Sequence, residues 1–588
     1  MNPVILPKPQ YLQCAEGTYP LGGSEIFLQP GMDTRIVKVA ARLQQQITHA
    51  SGSFCALRTG DTSSERGISI GLAPGEREES YTLRITPESV QLLGADPAGC
   101  FYGVQTLMQL VEQFPRELPC LLIRDHPDMR HRGFYHDTTR GRIPTVAGVK
   151  DLVDRLARYK INSLQLYVEH SFAFCELQNG SDAQRDYLTA QEILEIDQYC
   201  YDHFIDCIPS IATFGHLYEL LNCPQYRHLC EIEDFQPQEH FWKERMLHHT
   251  IDADNPQSLL LIQSLIDQYL PLFRSNYFNI CGDETFDLCT GRNAGKDAAT
   301  LYMDFVGKVC DYVQKKGKTV MLWGDIILQH PQYIHKLPEG TVVLNWDYSD
   351  APAPEKAATI AEHGIRQILC PGTTSWARLV EDISVSRENI RKQAQLAYQY
   401  GAEGLLNTNW GDYGHPAPVQ CALVGMLMGA ALSWNRKTSL DEEFEQDASL
   451  SLWKTRENMV PLIEQLGLAQ RTATWHELVE WLQYGDTACF KSSLQQVRDS
   501  VGKAEQLKQT LAQIASPKET EHLQVAAEGI RLLNLAVELI FTHASFDAWI
   551  EQTACWLDQY ERLWLLDCKP SELAQIRAFL MRLPLERS

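Results

Sequence analysis

Eight short apolar runs, each separated from the next by a segment of helical length, constrain this chain more than any other feature. They occupy residues 133–138, 163–168, 205–211, 277–281, 319–323, 341–346, 366–370 and 403–408. Each reads as a buried strand. Between the first two, Val146, Val149, Leu152, Val153 and Leu156 mark one face of an amphipathic helix. Eight strands alternating with helices predict a (β/α)8 TIM barrel of the α/β class. A doubly wound sheet is the runner-up, but it calls for a glycine-rich first turn that the sequence lacks.

The rhythm is different on either side. Before residue 126, Tyr81-Thr82-Leu83-Arg84-Ile85 and Ser89-Val90-Gln91-Leu92-Leu93 alternate like a hairpin, and 99–111 carries apolar residues at helical spacing. This reads as an N-terminal α+β domain, 1–125. After residue 432 the strand pattern disappears, and Leu523, Ala526, Ile530, Leu533 and Ala536 recur at helical spacing. The expected organisation is therefore a barrel over 126–432 and a helical C-terminal region over 433–588. A chain of 588 residues is too long for one core, which agrees with several domains.

Charge narrows the partners. A net charge of −23 offers no footprint for nucleic acid or an anionic membrane, and no window is apolar enough to span one. The opening Met1-Asn2-Pro3-Val4-Ile5-Leu6-Pro7-Lys8-Pro9 lacks the basic and apolar regions of a secretory signal. The 17 cysteines include no C-x-x-C pair, and Cys281 and Cys370 sit in apolar runs as reduced core thiols do. A cytoplasmic location is expected. So are a small-molecule substrate and no metal or organic cofactor, with room for a homo-oligomer.

In a parallel barrel, chemistry gathers where the strands end. Here those ends carry Asp137-Thr138-Thr139-Arg140, Glu169-His170, Gly215-His216, Asp283-Glu284, Trp323-Gly324-Asp325, Trp346-Asp347-Tyr348, Trp376 and Trp410-Gly411-Asp412-Tyr413. Adjacent carboxylates at a strand end are costly to desolvate together, so one of Asp283 and Glu284 is expected to hold its proton more tightly, as a general acid must. Several tryptophans beside carboxylates and an arginine describe a sugar site: aromatic faces cover a pyranose ring, and charged groups bond its hydroxyls. The bland readings are a solvated acidic loop, core tryptophans, an Arg140–Asp137 ion pair at the rim and a hydrogen-bonded core histidine at position 216. No H-E-x-x-H, P-loop or G-x-S-x-G pattern competes.

These residues resemble those of the β-N-acetylhexosaminidases of glycoside hydrolase family 20. Cys281-Gly282-Asp283-Glu284 is similar to the family's Gly-Gly-Asp-Glu motif. Arg132-Gly133 with Asp137-Thr138-Thr139-Arg140 is similar to its Arg-Gly and Asp-x-x-Arg. The run from Val149 to Asn162, including Arg158-Tyr159-Lys160-Ile161-Asn162, is similar to its first barrel helix, and the run from Gly99 to Leu107 resembles the end of its N-terminal domain. The resemblance implies a retaining exo-glycosidase in which the 2-acetamido oxygen of the sugar is the nucleophile and a cyclic oxazolinium ion forms. It implies Glu284 as acid and base, Asp283 as orienter of the acetamide N–H, and Arg140 as the holder of O3 and O4. Trp323, Trp346 and Trp410 then wall the acetamide, Trp376 follows strand seven on the same rim, and Asp412 reaches the outer hydroxyls in place of a family glutamate one methylene longer. His216 matches the family's strand-three histidine. Glu169 replaces an acidic pair as its supporting partner. The family's acetamide-binding tyrosine has no match after strand seven, which leaves Tyr348 or Tyr413 to supply that hydroxyl. The shorter Asp412 also motivates a second expectation, a preference for a substituted amino sugar such as a 6-sulfated one. A non-catalytic sugar-binding barrel is the alternative from another class.

Overall fold

The computed structural model describes residues 3–60, 67–73, 77–178, 186–233, 242–247, 249–514 and 517–585, with no account of the side chains of 244 and 517–519. Met1 and Asn2, at the head of the stretch read for a secretory signal, lie outside the described residues.

The N-terminal region holds β1 (Tyr11–Pro20), β2 (Glu25–Leu28), β3 (Ala56–Thr59), β4 (Ile68–Leu72), β5 (Tyr81–Ile85), β6 (Val90–Gly94) and β7 (Glu117–Asp125). They form one mixed sheet in the order β1-β7-β5-β6-β4-β2-β3. The expected hairpin is present: β5 and β6 pair antiparallel, Tyr81 opposite Gly94 and Ile85 opposite Val90. Helices Thr34–Ser51 and Pro97–Gln113 pack on this sheet. The second is buried on most of its circumference because the sheet covers one side and the barrel helix Val146–Arg158 touches the other.

The barrel strands are β8 (His131–Asp137), β9 (Ser163–Val168), β10 (Asp206–Ile211), β11 (Tyr277–Asn279), β12 (Thr319–Trp323), β13 (Val342–Trp346), β14 (Arg366–Cys370) and β15 (Gly404–Asn409). They close as a parallel barrel, with β15 pairing β8 from Gly404 opposite His131 to Asn409 opposite His136. Closure there demands a glycine: a Cβ on Gly404 would stand 1.7 Å from the His131 carbonyl oxygen. Every residue of β9 is buried, the pattern of a strand covered on both faces. The fourth strand stops two residues short of the expected 277–281. Ile280 still donates to the Met321 carbonyl at 2.9 Å and the Cys281 carbonyl still accepts the Trp323 amide at 3.0 Å, but Cys281 takes a left-handed φ of +57° that ends the extended strand.

A buried ionic network joins the sheet to the base of the barrel. Lys160 and Asp125 are fully buried and 2.9 Å apart. Asp125 Oδ2 also accepts the Tyr81 hydroxyl at 2.7 Å, and Oδ1 accepts Trp434 Nε1 at 2.9 Å and the Gln10 amide at 3.0 Å. Burial draws the Lys160 pKa down, against the pull of Asp125. Beside it Arg132 donates to the Lys160 carbonyl at 2.9 Å and to Tyr102 Oη at 3.1 Å, and pairs with Glu79 at 2.7 Å.

Past β15 the chain is helical, as expected. It returns to the barrel rim, where the Thr145 amide donates to the Asp567 carbonyl and the Lys569 amide to the Ile143 carbonyl, both at 2.8 Å. All 17 cysteines are free thiols, and among the described residues no helix is long and apolar enough to cross a membrane.

Removing one partner of a buried, hydrogen-bonded pair strands the other charge. Lys160→Met should therefore cost about 3–5 kcal/mol of stability, measured by denaturant unfolding. The Lys160→Met, Asp125→Asn double variant should lose less than the two single losses added together.

Candidate active site

The residues that end the barrel strands converge on one rim. Asp137, the last residue of β8, is wholly buried, and its Oδ1 accepts the amides of Thr139 and Arg140 at 2.9 and 3.1 Å. This local turn folds the chain back and sends the Arg140 guanidinium inward. Arg140 then meets three carboxylates: Asp412 at 3.2 Å, Asp137 at 3.3 Å and Glu169 at 3.4 Å. It lies between the rings of Tyr167 and Trp410, 5.1 Å from each centroid. Burial disfavours its charge, but Tyr167, Asp412, Glu169 and Asp137 outweigh burial and raise its pKa further. The rim ion pair with Asp137 is thus present, as part of a larger cluster.

Asp283 and Glu284 follow β11 in a tight loop with left-handed backbone at Cys281, Gly282 (φ +80°) and Glu284 (φ +48°). Non-glycine residues in that region store strain of about 1–3 kcal/mol each, which surrounding contacts must hold. Here the Tyr302 hydroxyl donates to the Gly282 carbonyl at 2.8 Å, and the Glu284 amide donates to Asp325 Oδ2 at 2.9 Å. Both acidic side chains turn to His216, whose Nε2 is 3.3 Å from Asp283 Oδ2 and 3.3 Å from Glu284 Oε2. Exposure separates the two acids. The Glu284 side chain is 28% exposed, Asp283 10% and His216 1%, so Glu284 is the more open and Asp283 lies deeper.

His216 also has left-handed backbone (φ +59°). Burial lowers its pKa, but the Asp283 charge and hydrogen bonds to Asp283 and Glu284 prevail and lift it to about 10; Arg140, with Nη2 3.4 Å from Nδ1, pulls the other way. The expected Glu169–His216 support runs through Arg140, which lies 3.4 Å from each of them. Glu169 accepts the Tyr167 hydroxyl at 2.9 Å, and burial raises its pKa.

The aromatic residues form a continuous wall. Trp346 stacks on Tyr348 at 5.1 Å and 18°, and Tyr348 meets Trp376 at 5.2 Å. Trp410 Nε1 donates to the Tyr348 hydroxyl at 2.7 Å, and Trp410 packs 5.8 Å from the fully buried Trp323. Of the two candidate tyrosines, Tyr348 belongs to this wall. Tyr413 turns outward onto His476 at 5.2 Å. Asp412 is half-buried, with its pKa raised by burial against the pull of Arg140.

Asp325 has more part in the site than its sequence position disclosed. It holds the Glu284 amide, and its pKa is pushed up to about 7 by burial and then by the Asp283 charge. Its place after Trp323 on the fifth strand was the available signal. Among the described residues, His216, Asp283 and Glu284 are the one group with ligand atoms close enough to share a metal ion, within 4.8 Å of one another. Two acids across one imidazole also serve proton transfer without any ion.

Residues 129–404 match Glycosyl hydrolase family 20, catalytic domain, and residues 2–126 match Glycosyl hydrolase family 20, domain 2. Among curated proteins, the chain is 26% identical over 372 residues to a beta-hexosaminidase of Porphyromonas gingivalis, covering 57% of this chain and 46% of that protein. The chain thus spans about half the length of that relative. Among solved structures, a Flavobacterium johnsoniae chitobiase aligns at TM-score 0.64 and 17% identity, over 94% of this chain and 95% of that one. A mutant Streptomyces plicatus beta-hexosaminidase in complex with product (GlcNAc) aligns at TM-score 0.62 and 22% identity, over 77% of this chain and 95% of that one.

The Asp325 pKa gives a signed prediction. A carboxyl raised to about 7 in the folded protein, from an ordinary 3.8, destabilises the fold increasingly as pH climbs from 3.8 through 7. Asp325→Asn keeps the acceptor for the Glu284 amide and removes the charge. Thermal melts should show the variant gaining on the parent at pH 8, with the gain shrinking toward pH 4.

Proposed function

The chain belongs to glycosyl hydrolase family 20, and from that premise we propose that it is a retaining exo-β-N-acetylhexosaminidase with N-acetylglucosamine as its preferred terminal sugar. The observation that carries this reading is the shared approach of Asp283 and Glu284 to His216, beside Arg140 and the tryptophan wall.

Glu284, the more open of the pair, protonates the glycosidic oxygen as the bond to the leaving group breaks. The acetamido oxygen of the same sugar attacks the anomeric carbon from the opposite face and closes an oxazolinium ring. Asp283 takes the acetamide N–H as a hydrogen bond, and its negative charge stabilises the positive charge that spreads over the new ring. Glu284, now a carboxylate, removes a proton from water as that water opens the ring, restoring the anomeric configuration. A nucleophile already held in the sugar gains effective molarity, worth about 7–11 kcal/mol at best.

The rest of the site orients the ring. Arg140 offers its guanidinium to O3 and O4, with Asp412 accepting from the outer hydroxyls. Trp410 floors the pocket, backed by the fully buried Trp323, and Trp346 and Trp376 flank it. The Tyr348 hydroxyl already accepts from Trp410, so its own proton is directed elsewhere and serves the acetamide oxygen. Support for N-acetylglucosamine comes from the Streptomyces plicatus relative solved with that product.

Glu284→Gln preserves shape and removes the proton. It should lower kcat/KM for an aryl β-N-acetylglucosaminide by about 10²–10⁴ with little change in melting temperature. A thiazoline analogue of the cyclic intermediate should compete with substrate and bind far more tightly than it. Full activity in the Gln variant would reject the assignment of Glu284, and an inert thiazoline would reject acetamide participation.

A further inference from the structure

The chemistry above leaves the helices beyond residue 433 without a role, yet one buried ion pair ties them to the site. Arg245 is buried, and its Nη2 lies 2.6 Å from Oε1 of Glu572, the residue just before the helix Leu573–Arg582. Its Nη1 donates at 3.4 Å to the carbonyl of Thr139, the residue immediately before Arg140. Burial lowers the Arg245 pKa, and the charges of Glu572, Glu219 and Glu169 more than reverse this. The same guanidinium therefore faces the C-terminal helices on one side and the Arg140 cluster on the other.

The pair is clamped from outside. Glu572 Oε2 accepts Trp242 Nε1 at 2.9 Å, and Trp242 packs on Trp475 and Phe579 of the C-terminal helices. Trp242 also covers Gly414, two residues after Asp412, so closely that a Cβ there would stand 2.6 Å from the indole. The turn that carries Arg140 and the turn that carries Asp412 are thus both seated against the 242–247 segment, which Glu572, Trp475 and Phe579 hold from the C-terminal side.

We propose that Glu572, acting through Arg245, is a positioning residue for the Arg140–Glu169–Asp412 subsite. The C-terminal helices thereby set how firmly the outer hydroxyls of the terminal sugar are held. The inference rests on the role given to Arg140 above. Thr139 is fixed from inside by Asp137 and from outside by Arg245. With Glu572 neutral, Glu169 and Glu219 are the anions left to Arg245. A guanidinium drawn to Glu169 competes with Arg140 for that carboxylate, and the Arg140 fork moves off the sugar.

The test uses the full chain with Glu572→Gln, Glu572→Asp, Arg245→Met and the Arg245→Met, Glu572→Gln double variant. Each is assayed on the aryl β-N-acetylglucosaminide and its C4 epimer, the aryl β-N-acetylgalactosaminide, with thermal melting in parallel. Glu572→Gln should raise KM by roughly 10- to 100-fold and lower kcat much less. It should change the ratio of kcat/KM between the epimers, because O4 is one of the atoms Arg140 holds. Glu572→Asp, which keeps the charge, should recover KM toward the parent, and the double variant should lose no more than the worse single one. A folded Glu572→Gln with unchanged KM and epimer ratio overturns the inference alone, as does an Asp variant no better than Gln. A parent enzyme inert on both glycosides overturns the proposed function and this inference with it.

Discussion

A single buried guanidinium balances the near side of this active site. Arg140 meets Asp137 at the end of β8, Glu169 just past β9 and Asp412 just past β15, all within 3.4 Å. A parallel barrel brings eight strand ends to one rim, and a rim chosen for acid chemistry crowds like charges that water no longer screens. Arg140 neutralises one side. On the other side Asp283 and Glu284 share His216 as their close cation, and Asp325 stands behind them on the Glu284 amide. That imbalance suits the reaction proposed above, whose transition state gains positive charge in a field already oriented against it.

The residues that carry the family resemblance divide between two places about one barrel length apart. Asp137, Arg140, Asp283 and Glu284 are at the carboxyl ends of the strands. Arg132 and Lys160 are at the opposite end, in the ionic network with Asp125 and Glu79 that seats the N-terminal sheet on the barrel. One motif, Arg-Gly followed by Asp-x-x-Arg, therefore spans a strand and serves both ends. Its first arginine cements two domains, and its last faces the site. Residues at the amino end of a barrel strand bear on stability, and those at the carboxyl end on chemistry.

The barrel was legible because its strands are short, largely apolar and separated by helical segments, so burial on both faces left a direct mark on the sequence. The end of β11 was not, because Cys281 continues the apolar run while its left-handed backbone ends the extended strand. Asp283 and Glu284 were legible as adjacent acids after a strand. The choice between Tyr348 and Tyr413 was not, since it depends on which way a loop turns: Tyr348 accepts from Trp410, and Tyr413 rests on His476. Arg245 and Glu572 lie 327 positions apart in the chain, and no local pattern announces a partner at that distance. The Glu169–His216 pairing anticipated from the sequence is relayed by Arg140 because the guanidinium occupies the space between them.

The bonds from Thr145 to Asp567 and from Lys569 to Ile143 join the first barrel turn to a segment more than 400 residues later. Such contacts have among the longest sequence separations in the molecule, and closing so long a loop is slow. During synthesis the eight-stranded cylinder can assemble while that segment is still inside the ribosome. The edge of the cleft next to Arg140 is then finished last. Completion of this rim is thus a step that can be separated in time from the collapse of the barrel.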